Sequence, residues 1–371
     1  MDSLAYWIGF NKVRGIGPAR LRALIDAFGD IESAWQATPG ALREVGLDRR
    51  SLESLLESRG KLDLAAELAR VRKAGVDVLT WDDPRYPERL KAISDPPPVL
   101  YFRGELRPED DFAVAVVGTR DISNYGRDAA RTIAAGLAES GVTVVSGLAR
   151  GVDCVAHRAA LDAGGRTIAV LGSGVDIIYP WENRKLALDL IERGVLMSEY
   201  PLGTQPEASN FPPRNRIVSG LSRGVVVIEA GERSGALITA RFAADQGRDV
   251  FAVPGSIFAR NSQGVNRLIR DGATPVTSIN DILEALNLRA VETYVAAKTL
   301  FPMDETEASL LSRLSDEPVH VDDLSRATDL PIATVTSTLA LMELKGLVRA
   351  AGGMTYYRVS ESGPVYGTKP D

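Results

Sequence analysis

From Phe112 onward, short unbroken apolar blocks alternate with segments whose apolar positions recur every three to four residues. The blocks Ala113 to Val117, Val142 to Ser146, Thr167 to Leu171, Val195 to Ser198, Val225 to Glu229 and Val250 to Val253 show no in-out alternation. Strands of that kind are covered on both faces, which predicts a parallel sheet with helices on either side. The intervening helices include Asp128 to Ser140 and Val152 to Ala163. The expected fold class is therefore α/β, an extended Rossmann-like doubly wound parallel sheet.

The flanks have other rhythms. Residues 1 to about 60 read as short helices punctuated by glycine. Val13-Arg14-Gly15-Ile16-Gly17-Pro18-Ala19, followed by Leu21, Leu24 and Ile25, has the form of a helix-hairpin-helix, whose glycines let backbone amides approach a phosphate. A fainter echo stands at Val45-Gly46-Leu47, and a helical packing domain without nucleic acid is the competing reading. A helix from Asp63 to Lys73 leads to a strand from Val76 to Trp81, and Pro96-Pro97-Pro98 marks a connector. Near the C-terminus, Ala308, Leu311 and Leu314 on one helix, a second helix from Ala333 to Lys345 and a hairpin through Gly352-Gly353 suggest a winged helix. The expected division is a helical domain resembling SAM or helix-hairpin-helix modules (1–75), a connector (76–111), the sheet domain (112–290), a linker (291–304), the winged helix (305–360) and a flexible tail (361–371).

Composition narrows the function. The chain has 371 residues, one cysteine, two histidines and a net charge of −6. A single Cys154 can form neither an intrachain disulfide nor a multi-cysteine metal site, so no metal is expected. No apolar run reaches the ~18 residues of a membrane span and the N-terminus has no leader pattern, so a cytoplasmic protein is expected. The overall charge argues against bulk coating of DNA. Its distribution is more telling: residues 112–287 hold eighteen basic and eighteen acidic groups, whereas 305–371 hold six and ten. An anionic ligand is thus expected on the middle region, provided its arginines converge, and least of all on the tail. The second helix of the winged module has no Lys or Arg before Lys345, which argues against groove insertion and for a protein-interaction or regulatory role.

Candidate chemistry gathers at the strand exits, where open α/β sheets bind their ligands. The exits read Gly118-Thr119-Arg120, Gly147-Leu148-Ala149-Arg150-Gly151, Gly172-Ser173-Gly174, Gly231-Glu232-Arg233-Ser234-Gly235 and Pro254-Gly255-Ser256. Glycines there allow tight turns and expose helix N-terminal amides to phosphates. No dinucleotide fingerprint follows the first strand and no Walker loop is present, so a nicotinamide or P-loop enzyme is disfavoured. Glu199 and Glu229 end their strands either as loop caps and ion-pair partners or as general bases. Phe211-Pro212-Pro213-Arg214-Asn215-Arg216 places an aromatic ring and two guanidinium groups within six residues. That set can hold a nucleic-acid strand by stacking and phosphate contact, or can form a proline-locked corner with a buried Phe.

Taken in order, Ala115 to Arg120 with Tyr125-Gly126, Ser146 to Asp153 with Ala156-His157, Thr167 to Gly174 through Tyr179-Pro180 and Asn183, Ser198 to Pro201, Phe211 to Ile217, Ser234 to Ala240 and Ala252 to Gly255 resemble the DNA-processing protein A family (DprA/Smf). The resemblance implies a non-enzymatic, cofactor-free recombination mediator that binds and protects single-stranded DNA and loads the RecA recombinase onto it. Natural transformation and repair are the settings it implies. The strand would contact Gly118, Thr119, Arg120, Gly147, Arg150, Gly172, Gly174, Asn183, Lys185, Phe211, Arg214, Asn215, Arg216 and Ser234. Local alternatives are Asn215 holding the turn, Arg150 pairing with Asp153, and His157 and Cys154 in packing roles. Gly264 to Ala273 resembles the family's self-association segment, with Leu268 and Ile269 at the centre of a homodimer interface; core packing is the rival. A competing class is the nucleotide phosphoribohydrolases of the lysine-decarboxylase-like (LOG) family, but Gly231 to Arg241 lacks their catalytic glutamate.

Overall fold

In the computed structural model, which describes residues 2–288, 305–315, 318–344 and 347–358, the apolar blocks form a nine-stranded sheet. Its strands are β1 (Asp77–Thr80), β2 (Val99–Gly104), β3 (Ala113–Val117), β4 (Thr143–Ser146), β5 (Thr167–Val170), β6 (Val195–Ser198), β7 (Gly224–Val227), β8 (Asp249–Ala252) and β9 (Thr274–Pro275). The spatial order is β1-β2-β6-β5-β4-β3-β7-β8-β9. From β6 to β9 every neighbouring pair is parallel. Every residue of β3 to β7 is buried, as the unbroken apolar runs require.

The connector is part of this sheet. β2 lies antiparallel between β1 and β6, pairing Tyr101 with Ser198 and Gly104 with Val195. Val99, Leu100, Tyr101 and Phe102 are almost wholly buried, so this run is a covered strand rather than a link. The N-terminal helices share one apolar core with the sheet, and Trp7 meets Trp81 edge to face at 5.8 Å.

The chain divides into two units, Met1–Val291 and Glu292–Asp371. In the second, helices Glu305–Leu311, Val321–Thr328 and Ile332–Leu344 pack with β10 (Val319–His320), β11 (Val348–Gly352) and β12 (Thr355–Arg358) around Leu310, Leu324, Val335 and Leu339. The expected linker and tail, 291–304 and 361–371, lie outside the described residues.

Candidate nucleic-acid interface

The chain runs outward from β3 through β4 and β5 to β6, then returns to place β7 on the other side of β3. Such a reversal opens a crevice beyond the carboxyl ends of the two central strands, where a ligand can enter without crossing a loop. A trough of about 980 Å³ lies there. Its walls come from the exits of β3, β4 and β7, the start of helix Phe211–Gly220, and Arg260, Asn261 and Gln263 beyond β8.

Phe211 brings an aromatic ring into this trough. Its half-buried ring tilts against Tyr179 at 5.8 Å between centroids. The Arg120 guanidinium lies 5.6 Å from the ring centroid, within cation–π range. A β-carbon on Gly172 would come within 3.0 Å of the ring, so this glycine makes room for Phe211. Arg120, Arg233 and Arg260 are exposed around the trough, and none is held in an ion pair among the described residues. Asp121 and Glu232 supply opposing charge at its edge.

Arg214 lines the floor of the trough and is almost wholly covered there. It is 3% exposed and donates from Nη1 to the Gly147 carbonyl at 2.9 Å and to the Val170 carbonyl. A β-carbon on Gly147 would strike its guanidinium at 2.5 Å. The two glycines therefore admit side chains, where exposed amides were expected. The Gly147 amide is itself spent on the Asp153 carboxylate at 3.1 Å. Burial pulls Arg214 down to about 10, which leaves it charged at neutral pH beside Asp153, whose carboxyl burial pushes up.

Several expected contacts face elsewhere. Arg216 is buried and grips Glu199 with both terminal nitrogens at 2.6 and 2.7 Å, with Asp95 at 3.1 Å. Arg150 pairs with Glu182, not with Asp153. Asn183 is buried and donates to the Leu148 carbonyl at 2.9 Å, shaping the loop after β4. Lys185 lines a separate hollow with Arg127, Arg158 and Cys154. A β-carbon on Gly174 would meet Asp176 and the Pro201 carbonyl; Gly118 and Thr119, by contrast, line the trough, and a β-carbon on Gly118 would meet Val152. Asn215 lines the trough and reaches the Gly235 carbonyl at 3.4 Å; Ser234 Oγ accepts from the Ala236 amide at 3.4 Å. Glu229 accepts from the Ser123 amide and hydroxyl at 3.0 and 2.5 Å, so both carboxylates at strand exits hold structure. Leu268 and Ile269 are half-buried, packed against the main core from helix Gln263–Arg270.

Tyr179, Arg233, Arg260 and Asn261 join the trough although sequence reasoning did not select them. Arg233 stood in a glycine-rich exit and could have been chosen on that ground. Arg260 lies six residues past Pro254 and carried no local signal. Among the described residues no His, Cys, Asp and Glu cluster could hold a metal ion, and no helix is long and apolar enough to cross a membrane.

A family model described as DNA recombination-mediator protein A matches residues 77–287, and one described as DprA winged helix domain matches 295–354. Protein Smf of Synechocystis is 38% identical over 95% of this chain and 98% of its own length. DNA processing protein DprA of Streptococcus pneumoniae is 47% identical over 54% of this chain and 71% of its own. The X-ray structure of DprA from that organism superposes with a TM-score of 0.68 at 37% identity, covering 76% of this chain and 97% of that one. The Helicobacter pylori protein, solved for its single-stranded DNA binding mode, gives 0.52 at 32% identity, covering 57% and 95%.

Proposed function

The chain belongs to the DNA recombination-mediator protein A family, a DNA-binding rather than a catalytic family, and from that premise we propose that it holds single-stranded DNA along the trough and delivers it to RecA in the cytoplasm. The observation that carries this reading is the Arg120 guanidinium set 5.6 Å from the Phe211 ring in a crevice rimmed by Arg233 and Arg260. A ring takes an unstacked base and guanidinium groups take the phosphates on either side. Duplex DNA has no free base face to offer, so single strands are preferred.

Each phosphate contact releases condensed counterions, with a slope of about −0.7 in log affinity per contact for single strands. Arg120, Arg233 and Arg260 together give a slope of about −2. Titration of labelled oligo-dT by anisotropy at rising salt tests this. Arg120→Ala should lower affinity and flatten the slope by about 0.7; an unchanged slope would remove Arg120 from the phosphate path. RecA delivery and a role in transformation or repair rest on family membership. Their check is RecA filament formation on protein-coated single strands, with and without this chain. Self-association through Leu268 and Ile269 completes the proposal, supported by the apolar surface these half-buried side chains retain.

A further inference from the structure

The trough does not end at Arg260. A second hollow, about 740 Å³, begins there and shares Asp121, Arg260 and Asn261 with the trough as common walls. Its other walls include Tyr125, Ser256 and Ala259. Tyr125 is 52% exposed, an unusual degree for an aromatic ring, yet it is held in place because its hydroxyl donates to the Pro254 carbonyl at 2.6 Å. Ser256 and Ala259 on its wall belong to a turn closed by the Ala259 amide on the Ser256 carbonyl at 3.0 Å. An exposed aromatic ring fixed by its hydroxyl beside an anion-attracting trough presents a face on which a base can stack.

Charge decides which part of a nucleotide fits. Glu229 lies at the hollow and Asp121 at its entrance, so a phosphate inside would meet two carboxylates. A neutral base meets none of that repulsion, and the cation on the shared wall, Arg260, can hold the phosphate that precedes it. We propose that this hollow is a second nucleobase subsite, in which Tyr125 stacks a base of the strand already held at Phe211 and Arg260 bridges the two. The inference rests on the proposed use of the trough and lengthens its footprint.

The test is anisotropy with oligo-dT of rising length, on the full chain. Wild-type affinity should climb with length in two stages. Tyr125→Ala should leave the shortest ligands unaffected and weaken the longer ones by roughly tenfold, the scale of one lost stack. Tyr125→Phe, which keeps the ring, should bind within about twofold of wild type. Arg260→Ala should reduce the salt slope for long ligands. If Phe211→Ala abolishes binding while Tyr125→Ala matches wild type at every length, the second subsite is wrong and the trough reading survives. If Tyr125→Phe falls as far as Tyr125→Ala, the latch to Pro254 matters and stacking does not. If neither Phe211→Ala nor Tyr125→Ala changes binding, the trough reading fails with it.

Discussion

Arg214 shows how a residue type that suggests phosphate contact can serve another end. Its guanidinium holds the Gly147 and Val170 carbonyls where β4 and β5 leave the sheet, directly under the Phe211 ring at 5.9 Å. Arg214→Met would leave two buried carbonyls and the Asp153 carboxylate without a cation, and should cost more than about 2 kcal/mol in a urea melt. The same spacing was partly legible beforehand. At 100° per residue, Phe211, Arg214 and Asn215 fall on one helical face, while Arg216 is turned about 140° from Phe211. The prolines hid this, because Phe-Pro-Pro reads as a corner, although proline is well accepted in the first turn of a helix. His157 is the packing histidine the sequence suggested. Thr167 Oγ1 donates to the Val144 carbonyl at 2.7 Å, so it must accept from His157 Nδ1 at 2.6 Å, which leaves Nε2 unprotonated and, among the described residues, without a partner. Burial, aided by Arg214, pushes His157 down to about 3. Between pH 6.5 and 3 the unfolded chain binds a proton that the folded one refuses, so stability falls on acidification. The loss between pH 7 and 5 should be about 2 kcal/mol in denaturant melts, and His157→Gln should flatten it.

Elements were more legible than side-chain contacts, since strands β3 to β8 follow from unbroken apolar runs that fit no exposed surface. β2 was not legible as a sheet member, because its run follows three prolines and its partner β6 lies more than ninety residues away. The glycine-rich exits were recognised, but with a different purpose: space for Phe211 and Arg214, information that exists only once the loops converge. Gly172→Val would press a side chain into the Phe211 ring from 3.0 Å. The affinity lost should approach that of Phe211→Ala, ~1–3 kcal/mol. In a double-mutant cycle the two losses should not add, because they act on one ring; full additivity would mean that Gly172 acts elsewhere.

At the scale of the molecule, a chain with net charge −6 can still bind an anion because exposed arginines from three separate exits meet at one crevice. The winged unit offers no basic residue on helix Ile332–Leu344, so a chain ending before residue 305 should bind oligo-dT within about twofold of the full chain. Leu268→Glu places a charge on the half-buried face of helix Gln263–Arg270. If Leu268 lies in the proposed self-association surface, sedimentation velocity should then show a smaller species than the unmodified chain gives; an unaltered profile would confine Leu268 to the core.

The most direct measurement is photocrosslinking of halogenated single-stranded DNA to the full chain, with the attached peptides read by mass spectrometry. Attachment at Phe211, Tyr179 and the Arg233 to Gly235 loop is the predicted result. Attachment confined to residues 305–358, or to the amino ends of β3 to β8, would contradict the account.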